Sequence, residues 1–197
     1  MRNSYNFNGR NNNPQNYHYD MDSFTLSELE TIEKKVIDIP FQNATILDNN
    51  KVDLEIRSSN IKWIPQNDEW YWLYEKLSNI ISEGNNKQWN FHIDGIPEKI
   101  QYTEYYASEK GHYGWHQDLG PGTSSQRKIS ITVQLSSHEE YEGGVMEMWS
   151  GGKHLVAASK AKGSVFAFPS YMMHRVTPVT KGTRKSFVLW VGGNHYS

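Results

Sequence analysis

The sequence predicts a mostly β fold with flanking helices, arranged as a sandwich or barrel, and three observations carry that prediction. From residue 89 onward the chain reads as short apolar segments separated by Gly, Pro and Ser turns, which is how many short strands look in sequence. Ahead of them lie two stretches whose apolar residues recur at helical spacing. Aromatics reach 13%, with seven Trp and twelve Tyr, so large side chains can fill a core although hydrophobic residues total only 37%. A chain of 197 residues is one domain's worth of sequence.

Residues 1–20 are polar and Asn-rich with little to bury, and are expected to form a flexible or loosely attached leader to a single domain over 21–197. In the first helix Thr25 or Ser27 can cap, each followed three residues later by a glutamate, Glu28 or Glu30. Leu26, Leu29, Ile32, Val36 and Ile37 then give one apolar face. A second helix follows Asp68, with Trp70, Leu73, Tyr74, Leu77, Ile80 and Ile81 at helical spacing and Gly84 placed to end it. The strands expected after it are 89–93, 99–106, 128–135, 145–149, 164–168 and 186–192. Pattern alone leaves jelly roll, lipocalin-like barrel and Ig-like sandwich open.

Composition excludes several chemistries. Without cysteine there can be no disulfide, thiolate zinc site, iron–sulfur cluster or Cys nucleophile. A net charge of −2 gives no electrostatic footprint for nucleic acid or an anionic membrane. No apolar run is long enough to span a bilayer and the N-terminus has no signal-peptide core, so a soluble cytoplasmic protein is expected.

The residues able to do chemistry lie in two segments. In Gly111-His112-Tyr113-Gly114-Trp115-His116-Gln117-Asp118, the i, i+2 spacing lets His116 and Asp118 share one face of a strand and occupy adjacent positions on a metal. Taken alone, the pair serves equally well as a hydrogen-bonded structural couple. His174 is expected at the end of a strand closed by Pro169 and Pro178, and two imidazoles with one carboxylate form a facial triad that leaves three metal positions open. Arg184, at the leading edge of the next strand, would need an anion if buried, and a dicarboxylate supplies one through bidentate hydrogen bonds.

These residues resemble the prolyl-4-hydroxylase-like branch of the Fe(II)/2-oxoglutarate oxygenases, of the small bacterial or phage type. The match runs from Tyr106 through Tyr113-x-x-His116-x-Asp118, Tyr141-x-Gly143-Gly144 and Phe168-Pro169-Ser170. It continues through His174-x-Val176-x-Pro178-Val179-Thr180-x-Gly182-x-Arg184 to Trp190, covering about residues 100–192. The resemblance implies a double-stranded β-helix, or jelly roll, with supporting helices on one side. It implies His116, Asp118 and His174 as iron ligands and Arg184 as partner of the far carboxylate of 2-oxoglutarate. Tyr106 would hydrogen-bond the co-substrate, and Gln134 stands where several relatives have a second tyrosine on that carboxylate. Tyr113, Arg127 and Trp190 would line the substrate side, and Trp63 and Trp115 could form a peptide groove.

The activity so implied is hydroxylation of a prolyl residue in a peptide or protein, using Fe(II), 2-oxoglutarate and O2, with ascorbate as an optional addition, and releasing succinate and CO2. The alternatives are the same chemistry on a free amino acid, small metabolite or nucleic acid, a cupin-like isomerase, or a non-catalytic metal-binding β-sandwich. Nucleic acid is disfavoured by the charge, no membrane is expected, and the loops near 55–65 and 119–127 would face the substrate.

Overall fold

The computed structural model describes residues 15–21, 23–44, 53–152 and 154–194. Its strands, in chain order, are β1 (His18–Asp20), β2 (Gln42–Asn43), β3 (Arg57–Ser58), β4 (Asn60–Ile64), β5 (Ile100–Tyr106), β6 (His112–His116) and β7 (Arg127–Gln134). They continue with β8 (Tyr141–Gly143), β9 (Met146–Trp149), β10 (Leu155–Ala157), β11 (Val165–Pro169), β12 (His174–Val176) and β13 (Val179–Gly192). The helices are α1 (Leu26–Val36) and α2 (Tyr71–Gln88).

The strands form two antiparallel sheets. The larger has the order β1-β11-β7-β13-β5-β4-β2, with β8 also paired to β13, and the smaller has the order β10-β9-β12-β6-β3. This is the double-stranded β-helix, mostly β with two flanking helices, that the family resemblance implied.

Alternation along the strands shows why the large sheet has two buried faces. On β13, Phe187, Leu189 and Val191 join Leu29, Ile32 and Val36 of α1 and Leu73, Leu77 and Ile81 of α2 in one apolar core. The residues between them, Ser186, Val188 and Trp190, line a cavity between the sheets. All eight residues of β7 are buried for the same reason: helices cover one face and the small sheet the other.

The helices differ in how closely they follow the sequence pattern. Thr25 caps α1 in a full capping box: its hydroxyl accepts from the Glu28 amide, and the Glu28 carboxylate accepts from the Thr25 amide. Leu26 and Ile37 are exposed, so the apolar stripe is narrower than the pattern suggested. In α2 the N-cap position is Trp70, whose amide donates to the Asn67 side chain, so Asp68 does not cap. Gly84 does not end the helix. It lies inside α2, where a Cβ would come within 2.7 Å of the His18 ring, so the glycine makes room for β1 to dock.

Two expectations about chain texture are corrected. Residues 89–93 are not a strand: Asn90 takes a left-handed φ of 54°, and the Asn85 side-chain amide bonds both the N–H and the C=O of Phe91. With those groups satisfied locally, Phe91 has none left for a ladder. At the other end, His18–Asp20 pairs with Val165–Ala167, so the sheet begins inside the segment read as a leader. Residues 1–14 lie outside the described residues.

Candidate metal and co-substrate site

The two sheets bring the chemistry-bearing residues together through register. His174 and His116 are direct cross-strand partners on β12 and β6, which puts both imidazoles on one side of the small sheet with ring centroids 4.1 Å apart. His174 opens β12; it does not end the strand that carries Pro169, which is β11 in the other sheet. Asp118 lies just past the end of β6, held there by its amide and that of Leu119, which both donate to the Ser170 carbonyl at 3.0 Å.

Each imidazole is oriented by its own backbone. The Nδ1 of His116 meets the Gly114 carbonyl at 2.8 Å, and the Nδ1 of His174 meets the Met172 carbonyl at 2.9 Å. A carbonyl can only accept, so Nδ1 carries a hydrogen in both rings and Nε2 is the nitrogen each ring can offer to a metal. Both Nε2 atoms face Asp118, at 3.8 Å from Oδ1 for His116 and 3.5 Å from Oδ2 for His174. One ligand atom from each of the three residues falls within 4.8 Å of the others. Two imidazole nitrogens and one carboxylate oxygen on a single side are the donor set of a facial triad, so the residues present fit Fe(II).

Protonation agrees with that fit. Burial, and then the neighbouring His174, hold the His116 imidazole far below its usual value, so it is neutral at pH 7. Burial alone would raise the Asp118 carboxyl, but the imidazoles of His174 and His116 and the Arg127 guanidinium together keep it below the ordinary carboxylate range. A consequence can be measured on metal-free protein. Unfolded His116 takes up a proton near pH 6.5 while the folded ring resists it, so its contribution to stability is present above that pH and is lost as pH falls below it. The urea midpoint should therefore drop between pH 7 and pH 5, with His18 adding to the drop because its pKa is also lowered by burial. His116→Asn should flatten that slope, and an unchanged slope would remove His116 as its source.

Across the cavity from the triad lies Arg184, only 3% exposed. It sits within the continuous strand β13, not at the leading edge of a shorter one. Its Nη1 donates to Ser186 Oγ at 3.2 Å, while its Nε is buried with no hydrogen-bond partner among the described residues. A buried guanidinium with an orphaned donor is suited to an incoming carboxylate, so the residues present also fit 2-oxoglutarate. Tyr141 stands beside it: burial raises the phenol's pKa, the Arg184 charge offsets part of that, and the phenol accepts from Gln134 Nε2 at 3.1 Å. Gln134 therefore meets Tyr141, which stands against Arg184, and neither Gln134 nor Tyr141 lines the cavity.

Tyr106 is not brought to the site. Its hydroxyl donates to Glu104 on the helix-facing side of β5, whereas Tyr105 is the cross-strand partner of Arg184 and lines the cavity. Directly opposed residues share a face of a sheet, so with Arg184 facing in, its partner Tyr105 does too. Tyr113 lines the cavity and stacks on His116, with centroids 3.5 Å apart. Arg127 is buried, stacked 3.7 Å over the Trp190 ring and doubly bonded to Glu98 at 2.6 Å, and all three line the cavity. Trp63 also lines it, from β4, while Trp115 lies 40% exposed beneath the Arg175 guanidinium and does not. Sequence reasoning missed Arg57, Glu98 and Tyr105. The cavity measures about 230 Å³.

Residues 100–192 match the family model described as the 2OG-Fe(II) oxygenase superfamily. Over that segment, 93 of its 197 residues, the chain is similar to that superfamily. Similarity extends to a PKHD-type hydroxylase of Azoarcus sp. (strain BH72), 34% identical over 137 residues that cover 66% of this chain and 58% of that protein. A PKHD-type hydroxylase of Gloeothece citriformis is 39% identical over 119 residues, covering 59% and 54%. The matched segments span well under two thirds of these relatives' lengths. Among solved structures, a Trichoplax adhaerens prolyl hydroxylase in complex with a hypoxia inducible factor peptide superposes with a TM-score of 0.75 at 19% identity, covering 90% of this chain and 83% of that one. A Pseudomonas putida prolyl-4-hydroxylase gives 0.69 at 15% identity, covering 90% and 93%. At those identities the structural likeness speaks for the fold alone.

Proposed function

We propose that the chain is an Fe(II)- and 2-oxoglutarate-dependent dioxygenase that hydroxylates a prolyl residue in a peptide or protein, releasing succinate and CO2. The observation that carries this reading is the pairing, in one cavity, of the His116, Asp118 and His174 donor set with the buried Arg184, whose Nε has no partner among the described residues. His116 and His174 present Nε2 to the metal because their Nδ1 atoms are committed to carbonyls, and Asp118 enters as a carboxylate. Arg184, with Ser186 and Tyr141 beside it, holds the far carboxylate of the co-substrate. The bound metal supplies the oxidising chemistry that couples co-substrate decarboxylation to oxygen insertion. Phe168, Val176, Met146 and Tyr113 wall the cavity, which excludes bulk water and suits an apolar pyrrolidine ring.

The prolyl assignment draws its support from the similar solved structures, two of which are named as prolyl hydroxylases. It is tested by succinate release under air with Fe(II), 2-oxoglutarate and ascorbate, with and without Pro-containing peptides. The expected result is peptide-stimulated succinate together with a mass gain of one oxygen atom in the peptide. Stimulation by a free amino acid other than proline or by a small metabolite, with every prolyl compound inert, would leave the cofactor assignment standing and remove the prolyl one.

A further inference from the structure

We propose that the hydroxyls of Ser170 and Ser130 form a relay that fixes the Asp118 carboxylate, so that it offers a single oxygen to the metal. This rests on the metal-binding reading of the triad given above and adds two positioning residues to it.

The three triad residues do not share one support. His116 and His174 pair with each other on β6 and β12 of the small sheet. Asp118 lies beyond the end of β6 and takes its hold from the large sheet. Its amide and that of Leu119 donate to the carbonyl of Ser170, the residue just after β11. Its own carbonyl accepts from Arg127 Nη1 at 3.3 Å, at the start of β7. The side chain is held from the same quarter, because the carboxylate accepts a hydrogen bond from the Ser130 hydroxyl on β7. Ser130 Oγ in turn lies 2.9 Å from Ser170 Oγ. Both serines are closed to solvent, Ser130 at 1% exposure and Ser170 at 0%. Ser170 thus acts twice on Asp118, on its backbone through a carbonyl and on its side chain through Ser130.

The direction of the relay follows from the hydrogens available. A carboxylate has none to give and a hydroxyl has one, so Ser130 donates to Asp118 and accepts from Ser170. A bond to an ionised acceptor is stronger than a neutral one, and hydrogen bonds in series polarise one another. A carboxylate free to turn can grip a cation through both oxygens. With one oxygen engaged by Ser130, a two-oxygen grip would break a buried hydrogen bond and leave a hydroxyl unsatisfied where water does not reach. Asp118 is thereby restricted to one position on the metal, which preserves the open positions that a facial triad leaves.

The experiment titrates Mn(II) into the full chain and records the visible absorption of the Co(II)-loaded protein, which reports the number and arrangement of ligands. Wild type is compared with Ser130→Ala, Ser170→Ala, the double variant and Ser130→Thr. Ser130→Ala should weaken Mn(II) binding about 10- to 100-fold and alter the Co(II) spectrum. Ser170→Ala should lose less, since Ser130 keeps its own bond to Asp118. Adding it to Ser130→Ala should change nothing further, since the relay is already cut. Ser130→Thr keeps the hydroxyl on a side chain suited to a strand and should restore both affinity and spectrum. Melting of the metal-free proteins identifies any variant that has lost its fold. If Ser130→Ala is one, Ser170→Ala must still weaken Mn(II) binding and Ser130→Thr must still match wild type. Unchanged Mn(II) affinity and Co(II) spectrum in Ser130→Ala, losses that simply add in the double variant, or a Ser130→Thr as weak as Ser130→Ala would overturn the relay and leave the triad reading intact. A wild-type chain that binds neither ion would remove both together.

Discussion

Arg184→Ala should weaken 2-oxoglutarate binding by about 30- to 5000-fold, the equivalent of about 2–5 kcal/mol for a truncated, buried, charge-assisted contact. The size of the effect follows from burial: at 3% exposure water cannot replace the guanidinium, so the incoming carboxylate would be left unpaired in a low-dielectric pocket. Arg184→Lys should recover part of the loss, because an ammonium restores the charge without the planar fork. Titration of 2-oxoglutarate into Mn(II)-loaded protein measures both. Affinity indifferent to either substitution would transfer the anchoring role to another cation of the cavity, with Arg127 and Arg57 the ones in place.

His174→Ala should remove metal binding to a greater degree than the ~10–100-fold typical of losing a partner outside the ligand shell. A ligand that binds only the folded state raises the melting temperature, so the wild-type chain should melt higher with Mn(II) or Fe(II) than without it, and the variant should not. His174 packs against Phe168 at 4.7 Å and against His116, so a drop in the metal-free melting temperature is expected as well. The diagnostic quantity is therefore the difference between loaded and metal-free melting in each protein. An undiminished difference in the variant would remove His174 from the ligand set.

The site was more legible in the sequence than the fold was. Residue type and spacing single out His116, Asp118, His174 and Arg184, because metal and carboxylate chemistry permits few side chains, and the family resemblance supplies their expected roles. The structure then places those four in one cavity. The short strands were harder to see. Strands β3, β8, β10 and β12 have only two or three residues each, too few for alternation to register, and they exist because neighbours pair with them. Residues 89–93 misled in the other direction: aromatic and alternating, they satisfy a strand pattern, yet the Asn85 side chain takes the hydrogen bonds that a strand would need. Arg57 was missed because an arginine on a two-residue edge strand carries no local signal of burial. Only the pairing of Arg57 with Tyr113 reveals it.

Strand β13 runs unbroken for 14 residues and is paired along its length with β5, β7 and β8. One pleat thereby fixes the inward aim of Arg184, Ser186, Val188 and Trp190 all at once. Inserting or deleting a single residue between Gly182 and Arg184 would slip the register and turn the guanidinium toward the helices, or else force a bulge to absorb the change. The wall that holds the co-substrate is therefore bound in length as well as in the identity of its arginine. The turn at Gly122–Gln126 lies outside the ladders and carries no such constraint, and changes of length that alter substrate preference have room to accumulate there.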